Sequence, residues 1–202
     1  MRPSGLLLAA LLQTVAIPAG ARADEIADQL EAAKKLYQEG DLAGAVGELE
    51  FVLQALRARF GEAFLATFPE PPEGWVVEAN GGKAGAVPFL GGTNVSKTYR
   101  QVNGPGKIEA QLSTGGGMLQ GLAQMFANPQ MLAMQPNAKR VRIQRETATT
   151  TFDPKTKQAQ LVLDLGGKAT IMLQGTGLAG PEPLVELANR WDLKQARSLA
   201  GL

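Results

Sequence analysis

Apolar residues recur along this chain in two rhythms, and the change between them falls at a proline-rich stretch near residue 70. In the first half, Ile26, Leu30, Ala33, Leu36 and Tyr37 follow one another at three- and four-residue steps, the spacing of one helix face. Glu39-Gly40-Asp41 then reads as a turn, with Gly40 suited to a helix C-cap and Asp41 to the next N-cap. A second helix follows, with a long apolar stripe of Leu42, Val46, Leu49, Val52/Leu53, Leu56, Phe60 and Phe64, and with Glu48 and Arg57 off the stripe toward solvent. Residues 24–68 therefore predict a helical hairpin. Phe68-Pro69-Glu70-Pro71-Pro72-Glu73-Gly74-Trp75 cannot continue a helix and predicts a stiff extended connector.

Beyond Trp75 the period becomes two. Lys107 to Leu112 alternates polar and apolar, as does Arg140-Val141-Arg142-Ile143. Ala159, Leu161, Leu163 and Leu165 share one face of a strand. Gly166-Gly167 reads as a two-residue hairpin turn, and Ala169, Ile171 and Leu173 return on the other side. Less regular strands are expected at Val76–Ala79, Asn94–Val102 and Thr147–Phe152. Met118 to Met134 reads as a helix between strands, and Pro183 to about Leu199 as one closing helix with Leu184, Leu187, Ala188, Trp191 and Leu199 inward. The fold class is thus α+β: an N-terminal helical hairpin, then residues 69–202 as an antiparallel sheet of six or seven strands packed with helices.

Residues 1–23 stand apart from both rhythms. Arg2 precedes an apolar run centred on Leu6, Leu7, Leu8, Leu11 and Leu12, Pro18 and Gly20 break it, and Ala21-Arg22-Ala23 completes an A-x-A pattern. This predicts a secretory signal peptide cleaved after Ala23. The run is too short for the ~20 residues of a bilayer span, so no integral membrane segment is expected after cleavage. The expected address is the periplasm or beyond.

Composition narrows the chemistry. The chain has no Cys and no His, which removes thiol nucleophiles, lipidated-cysteine anchors, disulfides, thiolate or imidazole metal sites and histidine acid–base catalysis. Losing Arg2 and Arg22 with the signal leaves 18 basic against 19 acidic residues, a balance unlike the basic surplus of a nucleic-acid binder. No cofactor is expected.

Two resemblances follow from the residues above. Ala33, Leu36, Gly40, Asp41, Ala45, Leu49 and Leu53 resemble one tetratricopeptide repeat. A solenoid needs about three or more such units, so a single one implies an ordinary helical hairpin instead of a peptide-binding groove. The Pro72-Glu73-Gly74-Trp75 opening, followed by strands, a helix, a hairpin meander and a closing helix, is similar to the PsbP-like α/β/α sandwich and to small exported bacterial proteins that join a helical hairpin to such a domain. That resemblance implies a non-enzymatic binding or assembly role and transfers no functional residue.

The candidate motifs are few. Gly175-Thr176-Gly177-Leu178-Ala179-Gly180 spells a dinucleotide fingerprint, but Pro181 and Pro183 delay the helix and the preceding strand sits in an antiparallel hairpin, so a connector is expected. Ser113-Thr114-Gly115-Gly116-Gly117 lacks the Lys-Ser/Thr of a phosphate loop. Lys139, Arg140, Arg142 and Arg145 are the densest basic run, with Arg140 and Arg142 on one strand face; they read as solvated charges or as a patch for an acidic partner or anionic lipid headgroups. Met118, Met125, Met131, Met134 and Met172 suit core packing, or, through Met125, Met131 and Met134, an apolar pocket. Trp75 reads as packing at the junction, with ligand stacking as the sharper alternative. Glu48 and Glu50 fall on different helix faces and Glu70 and Glu73 lie in the connector, so neighbouring carboxylates do not pair, while a pair assembled from distant residues, for instance Asp153 with another acid, stays open. The reading that results is a non-enzymatic periplasmic binding or assembly module whose partner is another envelope protein, with a carrier of an apolar or lipid-like ligand as the alternative. A carboxylate-based enzyme is the third possibility.

Overall fold

A computed structural model of the chain describes residues 21–87, 92–115 and 137–202. The chain divides after Leu53 into two compact units, and the division falls inside a helix.

The first unit contains α1 (Ala21–Glu39) and the start of α2 (Leu42–Ala66). The turn between them follows from two residues. Gly40 adopts φ +84°, where a side chain would be strained, and its N–H donates to the Tyr37 carbonyl while Asp41 N–H donates to the Leu36 carbonyl at 2.9 Å. These are the paired bonds of a Schellman stop. Asp41 then starts α2, its Oδ1 accepting from Gly44 N–H at 2.9 Å. Among the described residues of this unit, Ile26, Ala33, Ala45 and Val52 are the buried apolar ones.

The second unit is an antiparallel seven-stranded sheet with helices on one face. Its strands are β1 (Trp75–Val87), β2 (Gly92–Gln101), β3 (Lys107–Thr114), β4 (Ala138–Ile143), β5 (Glu146–Asp153), β6 (Gln158–Leu165) and β7 (Ala169–Thr176). The order across the sheet is β1-β2-β3-β7-β6-β5-β4. Two meanders, β1 to β3 and β4 to β7, are therefore zipped together where β3 pairs with β7, and β1 and β4 are the outermost strands among the described residues. The α+β class and the seven strands match the alternation in the sequence.

Register carries that alternation into the core. Val141, Ala148, Leu163, Ile171, Leu112 and Val95 lie opposite one another in one row across six strands. Leu161, Leu173 and Ala110 form a neighbouring row. Leu161, Leu163, Ile171, Leu173 and Leu112 are fully buried. Against this face pack Phe64 and Phe68 from the end of α2, and the residues of α3 (Glu182–Asn189) and α4 (Leu193–Leu199). Phe68 and Trp191 stack at 4.2 Å between ring centroids. The Trp191 indole N–H donates to Thr67 Oγ1, which itself donates to the Phe64 carbonyl at 2.7 Å, so the polar edge of the largest core side chain is satisfied.

Three expectations change. The closing helix is two helices, because Asp192 caps a new start by accepting from Gln195 N–H at 2.9 Å, and the Asp192 N–H is drawn to the Thr67 carbonyl instead of continuing the ladder. The β6–β7 loop holds three residues, Gly166-Gly167-Lys168, since Leu165 pairs with Ala169. A two-residue loop would pair Leu165 with Lys168 and turn Ala169, Ile171 and Leu173 away from the core, so burial selects the longer loop. The stripe on α2 does not face inward along its length: Val52 and Phe64 are buried, but Leu42, Val46, Leu49, Leu53, Leu56 and Phe60 are exposed. The expected helix Met118 to Met134 lies outside the described residues.

Candidate functional site

The glycine fingerprint dissolves into packing. Gly175 is the penultimate residue of β7, antiparallel to both neighbours. A Cβ there would collide with Leu178 and Leu184, so glycine lets the loop and α3 close over the strand. Gly177 has φ +68° and its missing Cβ faces the Pro105 carbonyl. α3 starts only at Glu182, with Pro181 as its N-cap, so no helix N-terminus meets the glycine turn. In the other glycine stretch, Thr114 closes β3 and its hydroxyl accepts from Thr93 N–H at 3.2 Å, tying two strands together. Gly115 has φ +69°, and Gly116 and Gly117 lie outside the described residues.

The basic run lies along β4, an outermost strand of the sheet among the described residues. Arg140 and Arg142 alternate with Val141 and Ile143, as the pattern predicts, and both are exposed on the face away from the core. The Arg142 Nε–H donates to the Gln144 carbonyl at 3.2 Å. Arg145 is exposed in the β4–β5 turn. That turn is pinned by Gln144, at φ +52°: its N–H donates to Asn189 Oδ1, and its side-chain amide donates to the carbonyls of Asn189 and Trp191. Charges on an outermost strand deter edge-to-edge pairing with another sheet, which accounts for Arg140 and Arg142 without a ligand.

Trp75 begins β1 and is half-buried against the core. Its N–H donates to the Pro72 carbonyl at 3.0 Å. Gly74, at φ +77°, makes the bend that aims it there. Met125, Met131 and Met134, like Met118, lie outside the described residues. Met172 sits on the outer sheet face, where its sulfur accepts from the side-chain amides of Gln160 and Gln174.

Those glutamines belong to a trough of about 480 Å³ on the outer face of β5, β6 and β7. Its walls come from two cross-strand rows, Thr151-Gln160-Gln174 and Asp153-Gln158, together with Thr156 and Asn137. Among its described lining residues Asp153 is the only carboxylate. Both of its oxygens are engaged within the β5–β6 turn, Oδ1 by the Lys155 N–H at 2.8 Å and Oδ2 by the Thr156 hydroxyl at 3.0 Å. These donors hold its carboxyl below the ordinary aspartate value. A paired-carboxylate reaction needs a second acid flanking the substrate, and the described walls supply amides and hydroxyls instead. No group of three or more His, Cys, Asp or Glu residues converges among the described residues.

The surface that does stand out is apolar. Leu42, Val46, Leu49, Leu53, Leu56 and Phe60 lie on one face of α2 with 39–62% of each residue open to solvent, and Phe51, on the opposite face, is 49% exposed. The stripe was visible in the sequence, but its openness was not, because periodicity reports a face and not what covers it. Tyr37 on α1 is also exposed, at 68%. Single exposed apolar residues are ordinary, whereas a contiguous row marks an interaction surface.

No helix among the described residues is long and apolar enough to cross a membrane. No protein-family model, no curated protein sequence and no solved structure matches the chain.

Proposed function

We propose that this protein is a non-enzymatic binding or assembly module of the bacterial cell envelope, exported by residues 1–23 and engaging a protein partner through α2. The observation that carries this reading is the open apolar row on α2. Burying a leucine or phenylalanine side chain is worth about 1.5–3 kcal/mol, so a row of six left in water is a standing driving force for association. The chemistry supports the same reading. His and Cys are missing from the sequence, and the trough on the outer face of β5, β6 and β7 has both oxygens of its described carboxylate, Asp153, engaged in shaping a turn. Cleavage after Ala23 would leave Asp24 within the first turn of α1, so the hairpin survives processing.

The test is a photo-crosslinking residue at Leu49 in the protein expressed in its host, followed by fractionation and mass analysis. A discrete protein adduct in the envelope fraction supports the reading. Turnover of a hydrolase or transferase substrate by the purified protein, abolished by a substitution in the trough, would overturn it.

A further inference from the structure

We infer that the trough on the outer face of β5, β6 and β7 is a binding site for a neutral oligosaccharide. The described residues that line it all belong to the second unit. The inference is independent of the α2 row and adds a second ligand to the protein partner proposed there.

Strand register builds the site. Gln160 of β6 lies directly between Thr151 of β5 and Gln174 of β7, with neighbouring strands about 4.8 Å apart. Gln158, opposite Asp153, shares that face two residues along β6, about 7 Å from Gln160. Three glutamine amides and a hydroxyl therefore stand in a grid on one patch of sheet. The intervening Phe152 and Ala159 turn their side chains to the core. The volume of about 480 Å³ lies within the range of small-ligand pockets.

The bonding of the amides is the second argument. The side-chain N–H groups of Gln160 and Gln174 both donate to the Met172 sulfur, at 3.6 and 3.1 Å. A thioether is a weak acceptor, so the two amides are held side by side by bonds that a better acceptor displaces readily. A sugar hydroxyl is such an acceptor, and it also carries a proton for the amide oxygen. Each amide presents a donor and an acceptor on adjacent atoms, which suits two neighbouring hydroxyls of one sugar ring.

Charge and shape set aside the other ligand classes. The described lining contains no Lys or Arg, so a phosphate or carboxylate group meets no cation there. Asp153 has both oxygens engaged by Lys155 N–H and the Thr156 hydroxyl, which leaves no ready partner for a cationic ligand. No aromatic ring among the described lining residues faces the trough, so a nucleobase finds no stacking surface. Extended peptides are captured by pairing along a sheet edge, whereas β5, β6 and β7 each have strands on both sides.

The test is a titration of the full isotope-labelled chain, followed by nuclear magnetic resonance. The probes are maltotriose, cellotriose and triacetylchitotriose, each to about 10 mM, with glucose 6-phosphate and trialanine as comparisons. At least one neutral trisaccharide should shift the side-chain amide signals of Gln160 and Gln174, and more strongly than either comparison compound. Gln160→Ala and Gln174→Ala should each weaken that binding about five- to tenfold, the loss of one to two hydrogen bonds. Gln174 is exposed, so its truncation should leave the urea midpoint unchanged and report on binding alone. Leu49→Ser should bind the sugar like wild type. Saturation by none of the three trisaccharides, or binding that the double glutamine variant retains, overturns the inference. Tighter binding of glucose 6-phosphate or trialanine at the same signals also overturns it. None of these results alters capture of a protein at Leu49, so this inference and the α2 reading fail separately.

Discussion

The core face of the sheet and the outer row of α2 are written in the same residues, leucine, valine and phenylalanine, yet one is sealed and the other is open to water. Leu161, Leu163, Ile171 and Leu173 have no accessible surface, while Leu42 keeps 62% of its surface. The difference lies in geometry. A sheet face is two-dimensional, so each core side chain gains neighbours along its strand and from both adjacent strands, and α3 and α4 cover the result. The α2 row is a single line of side chains on a convex cylinder, which its own helix cannot cover. Apolar character sets how much free energy is available from burial, and the dimensionality of the surface sets whether one chain can realise it.

Leu163→Ala, the largest predicted effect, tests the sealed side. Leu163 sits mid-row between Ala148 and Ile171 and is fully buried. Truncation should cost about 2–5 kcal/mol, from lost transfer energy and an unrelaxed cavity. Urea denaturation would show this as a lower midpoint at unchanged slope. A cost near zero would mean that the face is less tightly packed than its burial indicates.

The same contrast explains what was legible in the sequence. The strands could be read because alternation in Lys107–Leu112 or Gln158–Leu165 has one solution, apolar side in, and antiparallel pairing transmits it from strand to strand. The glycine pair at 166–167 signals a tight two-residue turn, whereas the phase needed to keep both Leu165 and Ala169 inward is a property of two strands together. Local periodicity makes the closing helix look continuous because its break depends on distant partners: Thr67 for the Asp192 N–H, and Gln144 for the carbonyls of Asn189 and Trp191. On the functional side, the alternation of Arg140 and Arg142 was readable and the false fingerprint at Gly175 was exposed by its flanking prolines. The openness of the α2 row was not readable, since a helical period carries no information about cover.

The two regions also treat buried polar atoms differently, which gives the next two predictions. In the core, Tyr99 is fully buried and its hydroxyl donates to the Pro69 carbonyl at 2.7 Å. Burial, reinforced by the nearby Glu70 carboxylate, raises the phenol above its ordinary value. The folded state therefore holds this proton where the unfolded chain releases it. The stabilising contribution is complete below about pH 10 and is lost as pH climbs beyond it. Tyr99→Phe should cost about 1–2 kcal/mol at neutral pH by stranding a buried carbonyl. Above pH 10 its stability should fall less steeply than wild type, by up to about 1.4 kcal/mol per pH unit. Parallel alkaline limbs for the two proteins in chemical denaturation would contradict the assignment.

In the hairpin, by contrast, Gln29 Oε1 is buried with no hydrogen-bond partner among the described residues. An unsatisfied buried acceptor is a cost that an apolar side chain of similar size avoids. Gln29→Leu should raise stability by about 1 kcal/mol, visible as slower amide exchange in α1 and in the start of α2. Loss of protection there would show that water or another group satisfies Gln29 in solution.

Leu49→Ser should have the smallest effect on folding, and that smallness is what separates the two surfaces. Half of Leu49 is in solvent at 49% exposure, so a dilute monomer should lose less than about 0.5–1 kcal/mol, near the range of surface substitutions. Serine's lower helix propensity accounts for about half of that. The same change removes a contact from any complex that buries this face, whereas Leu163→Ala acts within the fold alone. Thermal melts of both variants, alone and with the partner captured by the Leu49 photo-crosslinker, would separate the cases: a gap for Leu49→Ser that widens with added partner places its burial between molecules, and a constant one places it within the fold.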